Sequence, residues 1–188
     1  MQQVCSPNAS IPPGESGRRL TYSNAGEDLI VATIFSLLGA KHATYLDVGA
    51  RDPWSGSNTA LLYSGGSRGI AVVPTPLALL WQQNRPGDSV CTLTTGWFEG
   101  LGDDRRNLGL GRWLLAIEAQ ADQHKLIEEI NFRSDRPTAI CLGQSGGFRS
   151  AASETQEALL ASLGYKTVFR TAASIVAVDV SVAAALNV

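Results

Sequence analysis

Histidine and cysteine are scarce in this chain, and their spacing excludes the commonest metal sites. Its 188 residues hold two histidines, His42 and His124, too scattered for a ligand set. The three cysteines, Cys5, Cys91 and Cys141, form no CxxC pair and no zinc spacing. Cys91 and Cys141 stand in apolar, strand-like runs, which predicts inert core thiols. Long apolar runs are missing too: none approaches the roughly 20 residues of a membrane-spanning helix. The first residues carry no apolar signal core, so the expected compartment is the cytoplasm or an organelle interior. An excess of basic charge is also lacking, with 15 Lys and Arg against 17 Asp and Glu. A net charge of −2 gives no footprint for nucleic acid.

With 44% apolar and 17% charged residues, the chain is globular and long enough for one proper core. Residues 1–20 are rich in Pro, Gly and Ser and read as an extended arm without a core of its own. Residues 21–180 form the expected domain. Residues 181–188 are an apolar tail that would dock on the domain or on a neighbour.

Within the domain, strands and helices alternate. A first helix is predicted over Gly26 to Leu38, with Glu27 and Asp28 in the turn that the helix dipole favours for acids. Ile30, Ile34, Leu37 and Leu38 are its predicted apolar face. Strands follow at Thr44–Val48, Gly69–Val73, Ser89–Thr95, Trp113–Glu118 and Thr138–Leu142. Helices lie between them near Asn58–Tyr63, at Pro76–Asn84 and at about Gln120–Ile130. The last of these has Leu126, Ile127 and Ile130 on one face. Trp97 to Arg112, with four glycines and no period, reads as a loop. A further helix, Ser153–Leu163, ends at Gly164, and the strands Lys166–Arg170 and Ser174–Val180 read as a hairpin. This order predicts an α/β fold: a mostly parallel, doubly wound, seven-stranded Rossmann-like sheet closed by a C-terminal β-hairpin. Many S-adenosylmethionine methyltransferases have that arrangement.

The stretch Thr44 to Thr59, TYLDVGARDPWSGSNT, organises the rest. A buried strand ends at Asp47-Val48-Gly49-Ala50, and Ser57-Asn58-Thr59 stands before the apolar start of the next helix. An acid at a strand's end, small residues beneath it and helix N–H groups beyond it make a nucleotide cradle. Asp47, Gly49, Ala50 and Asn58 are therefore the candidate cofactor-binding residues. An ordinary tight strand-to-helix turn accounts for the same pattern.

Several blocks in order resemble the FkbM-type methyltransferases. YSNAGEDLIVATIF is similar to that family's opening Ser-x-x-Gly-Glu-Asp motif. YLDVGARDPWSGSNTALLYSGGSRGIAVVPTPLALLWQQNRP resembles its Asp-(Val/Ile)-Gly-Ala block, its Ser-Asn-Thr and its second-strand entry. WLLAIEAQADQHKLIEEINFRSDRPTAICL and GYKTVFRTAASIVAV echo its fourth-strand segment and closing hairpin. The resemblance runs from about Tyr22 to Val178. It implies transfer of a methyl group from S-adenosylmethionine to a hydroxyl of a sugar or polyketide.

Departures from the family pattern fall on its functional positions. Arg51 stands where an asparagine often follows the alanine. Val73, followed by Pro74, replaces the acid that binds the two ribose hydroxyls of the cofactor. Each charge-assisted bond lost there removes roughly 1.5–3 kcal/mol. Glu118-Ala119-Gln120-Ala121-Asp122-Gln123 stands for the family's Asp-(Val)-Glu-Gly-x-Glu. The first acid survives as Glu118, and glutamines, which cannot act as general bases, replace the other two. Gly143 stands where the family often has a carboxylate, and only a glycine-rich loop remains of the usual insertion before the fourth strand. The expectation is a catalytically degenerate relative with no bound cofactor, serving as a binding or structural subunit beside other proteins. The alternative is a compact S-adenosylmethionine-dependent O-methyltransferase with altered contacts and a small-molecule acceptor, in which Glu118 is the candidate catalytic base.

Plainer roles stand beside these. Glu118 at a helix start also reads as a dipole partner, and His124, one turn into a helix, as a surface residue. Asp103-Asp104-Arg105-Arg106 reads as a self-compensating charge cluster rather than a ligand site. Trp54, Trp97 and Trp113 would line a sugar or base pocket by stacking, or simply fill the core.

Overall fold

The computed structural model describes residues 21–94, 96–104, 111–118, 123–144 and 151–188. The expected arm, the two arginines of the Asp103–Arg106 cluster and the segment Ala119–Asp122 lie outside the described residues.

A seven-stranded mixed sheet forms the frame, in the order β3-β2-β1-β4-β5-β7-β6. Its strands are β1 (Thr44–Val48), β2 (Gly69–Val73), β3 (Ser89–Thr92), β4 (Trp113–Ile117), β5 (Ala139–Gly143), β6 (Tyr165–Arg170) and β7 (Ser174–Asp179). The first five run parallel. β7 lies antiparallel between β5 and β6, so the hairpin closes the sheet by reaching inward. A shift of register between Thr167 and Phe169 interrupts the pairing at the β6 edge.

Period-two alternation sends each central strand's side chains to two cores. On one face Leu46, Val48, Leu115, Ile117, Ile140 and Leu142 meet α4 (Trp97–Gly100), α5 (Gln123–Glu128) and α6 (Ala151–Ser162). On the other Tyr45, Leu114, Ala116, Cys141, Val176 and Val178 meet α1 (Glu27–Leu37), α2 (Ala60–Ser64) and α7 (Val180–Leu186). α3 (Ala78–Asn84), entered through a 3-10 turn at Thr75–Leu77, places Trp81 on a third, small cluster with Ala50, Ala71 and Val73.

Two expectations need correction. The buried face of α1 is Val31, Ile34 and Phe35; of the expected face, Ile34 is buried and Ile30 and Leu38 pack half-buried beside it, while Leu37 is 70% exposed. The helix turns this way because Glu27 and Asp28 lead the same stripe into the interior, where both are fully buried. The Asp28 carboxylate accepts the Tyr22 N–H at 2.7 Å and the hydroxyls of Thr21 (2.6 Å) and Ser23 (2.9 Å). Glu27 accepts the Ala25 N–H at 2.9 Å and the Thr171 hydroxyl beyond β6. Secondly, the stretch read as a loop from Trp97 begins with α4, whose Trp97 and Phe98 are core residues. The apolar tail, expected on the domain or on a neighbour, is mostly helix. Asp179 caps α7 by accepting the Ser181 N–H at 2.7 Å, and Ala183 is buried against the second core. The tail thus docks on its own domain.

No helix among the described residues is long and apolar enough to cross a membrane.

Candidate functional site

Strand order reverses at β1, with β2 and β3 on one side and β4 and β5 on the other. Sheets of this kind open a crevice outside the carboxyl ends of the strands at that switch. The backbone clamps the crevice floor: the Glu118 N–H donates to the Val48 carbonyl at 2.9 Å, and the Gly49 N–H to the Val72 carbonyl at 2.8 Å. Gly49 takes a φ of 78°, a left-handed turn that a side chain would strain.

Beneath that floor lies a buried polar network. Arg85, fully buried just after α3, donates to the Thr59 hydroxyl at 2.7 Å, the Ser57 hydroxyl at 2.8 Å and the Pro53 carbonyl. Its guanidinium lies 4.5 Å from the Trp81 ring centroid and 4.0 Å from Asp88. Asp88 in turn accepts the Tyr45 hydroxyl and, at 3.0 Å, the Gly69 N–H. Thr59 donates its hydroxyl hydrogen bond to Asp47 Oδ2, while Asp47 Oδ1 has no hydrogen-bond partner among the described residues. Burial pushes the Asp47 carboxyl up to about 6 against the opposing pull of Arg85 and Thr59.

Glu118 follows β4 and faces outward from this network. Its carboxylate accepts the Asn58 N–H over a long 3.4 Å. Burial, then the neighbouring Asp47 charge, pushes Glu118 up to about 8, so it is largely protonated at neutral pH. It stands in the wall of a cavity of about 550 Å³ with Asn24, Arg51, Asn58, Gln144 and Gln156, a size suited to a small ligand. Gln123 and Gln156 both donate to the Gly143 carbonyl, at 2.8 and 3.3 Å. The Gln144 carboxamide has both polar atoms shielded and no partner among the described residues.

Asp47, Asn58 and Glu118 thus come together as the sequence implied, although Asp47 lies under the cavity rather than in its wall. Gly49 shapes the turn but is no part of that wall either. Ala50 departs altogether: it packs, fully buried, on Ala71, Val73 and Trp81. His124 is exposed at the cavity rim. Of the three tryptophans weighed, Trp97 and Trp113 are core, and Trp54 packs tilted against Tyr22 and edge-on against Tyr63 with centroids 5.7 and 5.6 Å away. Cys141 is buried and Cys91 half-buried, and burial raises both thiols. Among the described residues no group of three or more His, Cys, Asp or Glu could hold a metal ion.

Sequence reasoning missed Arg85, Gln144 and Gln156. Arg85-Pro86-Gly87-Asp88 looks like a solvated turn, and its one signal was an opposite-charge pair three residues apart beside a buried strand.

No family model and no curated protein sequence matches the chain. One solved structure it resembles is a DUF574 family protein from Streptomyces avermitilis, with 14% identity and a TM-score of 0.48. That match covers 81% of this chain and 80% of the other.

Proposed function

We propose that the chain is an FkbM-like protein of the methyltransferase fold that no longer uses S-adenosylmethionine and serves as a binding or structural subunit. The strand order with an inserted antiparallel β7 supports the fold reading. One observation carries the loss of the cofactor. Val73, at the end of β2, is fully buried with Ala50 and Ala71 against Trp81. An acid that gripped a ribose would have to stand there, and a closed apolar cluster offers neither a hydrogen-bond acceptor nor space for hydroxyls. The residues at that half of the crevice do not fit the cofactor.

The other half stays open and polar. Glu118 keeps the place of a general base, while burial and the neighbouring Asp47 charge favour its protonated form, which cannot accept a proton. The reading of a compact O-methyltransferase rests on this residue alone. A subunit role draws on residues 1–20, a Pro-, Gly- and Ser-rich stretch without apolar periodicity, of the kind that lies on a partner. The docked α7 removes the apolar tail as a second argument for it.

Ultraviolet crosslinking with radiolabelled S-adenosylmethionine tests the loss of the cofactor. No labelled chain is expected; specific labelling that unlabelled cofactor suppresses would restore the enzyme reading.

A further inference from the structure

The open half of the crevice has a wall whose chemistry the loss of the cofactor does not explain. An ionisable carboxyl and a cation line the same cavity of about 550 Å³, Glu118 within and the exposed Arg51. Between and around them stand carboxamides. Both polar atoms of Gln144 and the Oε1 of Gln156 are shielded from solvent without a hydrogen-bond partner among the described residues. Shielded amides left unpaired cost free energy that a ligand's own polar groups recover. Among the described residues the wall contains no Phe, Trp or Tyr.

The groups behind Glu118 set the sign of charge that it welcomes. Asp47 of β1 and Glu27 of α1 are fully buried nearby and repel a second negative charge, while Arg85 and the Asn58 N–H oppose them. Bare, Glu118 satisfies this field by keeping a proton. An ammonium group set against it would do the same and let the proton leave. An anion there would meet three carboxyl groups; Arg51 is the group that suits one.

We propose that this cavity binds a free polar amino acid as its zwitterion, with the ammonium on Glu118, the carboxylate on Arg51 and the side chain against the carboxamides of Gln144 and Gln156. The proposal rests on the preceding reading of a crevice that has lost the adenosyl ligand and kept a pocket. It assigns binding only.

Calorimetric titration of the full chain with L-glutamine, L-asparagine, L-serine and L-glutamate, each separately, tests it. At least one is expected to bind saturably, with release of close to one proton at neutral pH when buffers of different ionisation enthalpy are compared. The N-acetyl derivative and the carboxamide derivative of that ligand, each lacking one charge, are expected to bind at least about tenfold more weakly. Glu118→Gln should abolish the proton release, and Arg51→Gln, on the exposed rim, should weaken binding by a similar factor without touching the buried network. Absence of binding by all four amino acids at millimolar concentration would overturn the proposal, as would equal binding of the N-acetyl derivative. A parallel titration with S-adenosylmethionine separates the two readings. If neither the cofactor nor an amino acid binds, only this inference falls; if the cofactor binds tightly, the reading beneath it falls.

Discussion

Arg85 carries a buried positive charge on which the turn after β1 is built. It holds Pro53, Ser57 and Thr59, and through Thr59 it orients Asp47. If the cradle were solvated, Asp47→Ala would leave folding untouched. In this structure Asp47 is fully buried in a network, so the same change removes an acceptor from a buried hydroxyl and a countercharge from a buried cation. Removing one member of a buried charge pair costs about 3–5 kcal/mol. Arg85→Met is therefore expected to lower stability by roughly 3 kcal/mol, and Asp47→Ala by less, since Asp88 remains beside the guanidinium. Urea denaturation measures both. A cost near zero for Arg85→Met would mean that the network is not structural.

The raised carboxyls give a second consequence at this scale. A group that binds its proton more tightly in the folded chain than in the unfolded one adds stability as the pH falls towards its unfolded value. For Glu118, raised to about 8, and Asp47, raised to about 6, stability should therefore increase from about pH 8 down to about pH 5. Thermal melting of the wild type across that range is expected to show the rise. Glu118→Gln, which is neutral throughout, should flatten most of it. An unchanged slope in that variant would place the proton uptake elsewhere.

Among the elements, β1 and β2 depend on a single close approach. Gly69 opens β2 against Tyr45, and a methyl group there would overlap the Tyr45 carbonyl oxygen and ring. Relief would require shifting the central strand, so Gly69→Ala is expected to cost roughly 3 kcal/mol or leave the chain insoluble. A Tm equal to the wild type would contradict the tight pairing. The strands themselves were legible because GIAVV and WLLAI are short apolar runs of β-branched or bulky residues between turn signals. The face of α1 was not. Its stripe is led by two acids, and apolar periodicity ignores acids whose partners, Thr21, Ser23 and Thr171, are supplied by chain before and far beyond the helix. α4 was hidden for a similar reason: glycines surround an aromatic pair that only the assembled sheet can bury. Glu118 and Asp47 were legible as strand-end acids. Arg85 was not, because only the folded β1 turn supplies its acceptors.

For the whole molecule, the framework of the sheet and the half-closed crevice point in different directions. Two cores and the parallel strands are intact, while Val73 at the end of β2 is buried with Ala50, Ala71 and Trp81. Loss of residues 1–20 is expected to leave the Tm of the domain unchanged and to weaken any association with a partner, which size-exclusion chromatography of a native extract reads. Fit to S-adenosylmethionine is the question on which the account turns. Isothermal titration of that cofactor into the purified full-length chain answers it most directly. The account predicts no saturable heat below the millimolar range, whereas a micromolar Kd, worth about 8 kcal/mol of binding free energy, would contradict it.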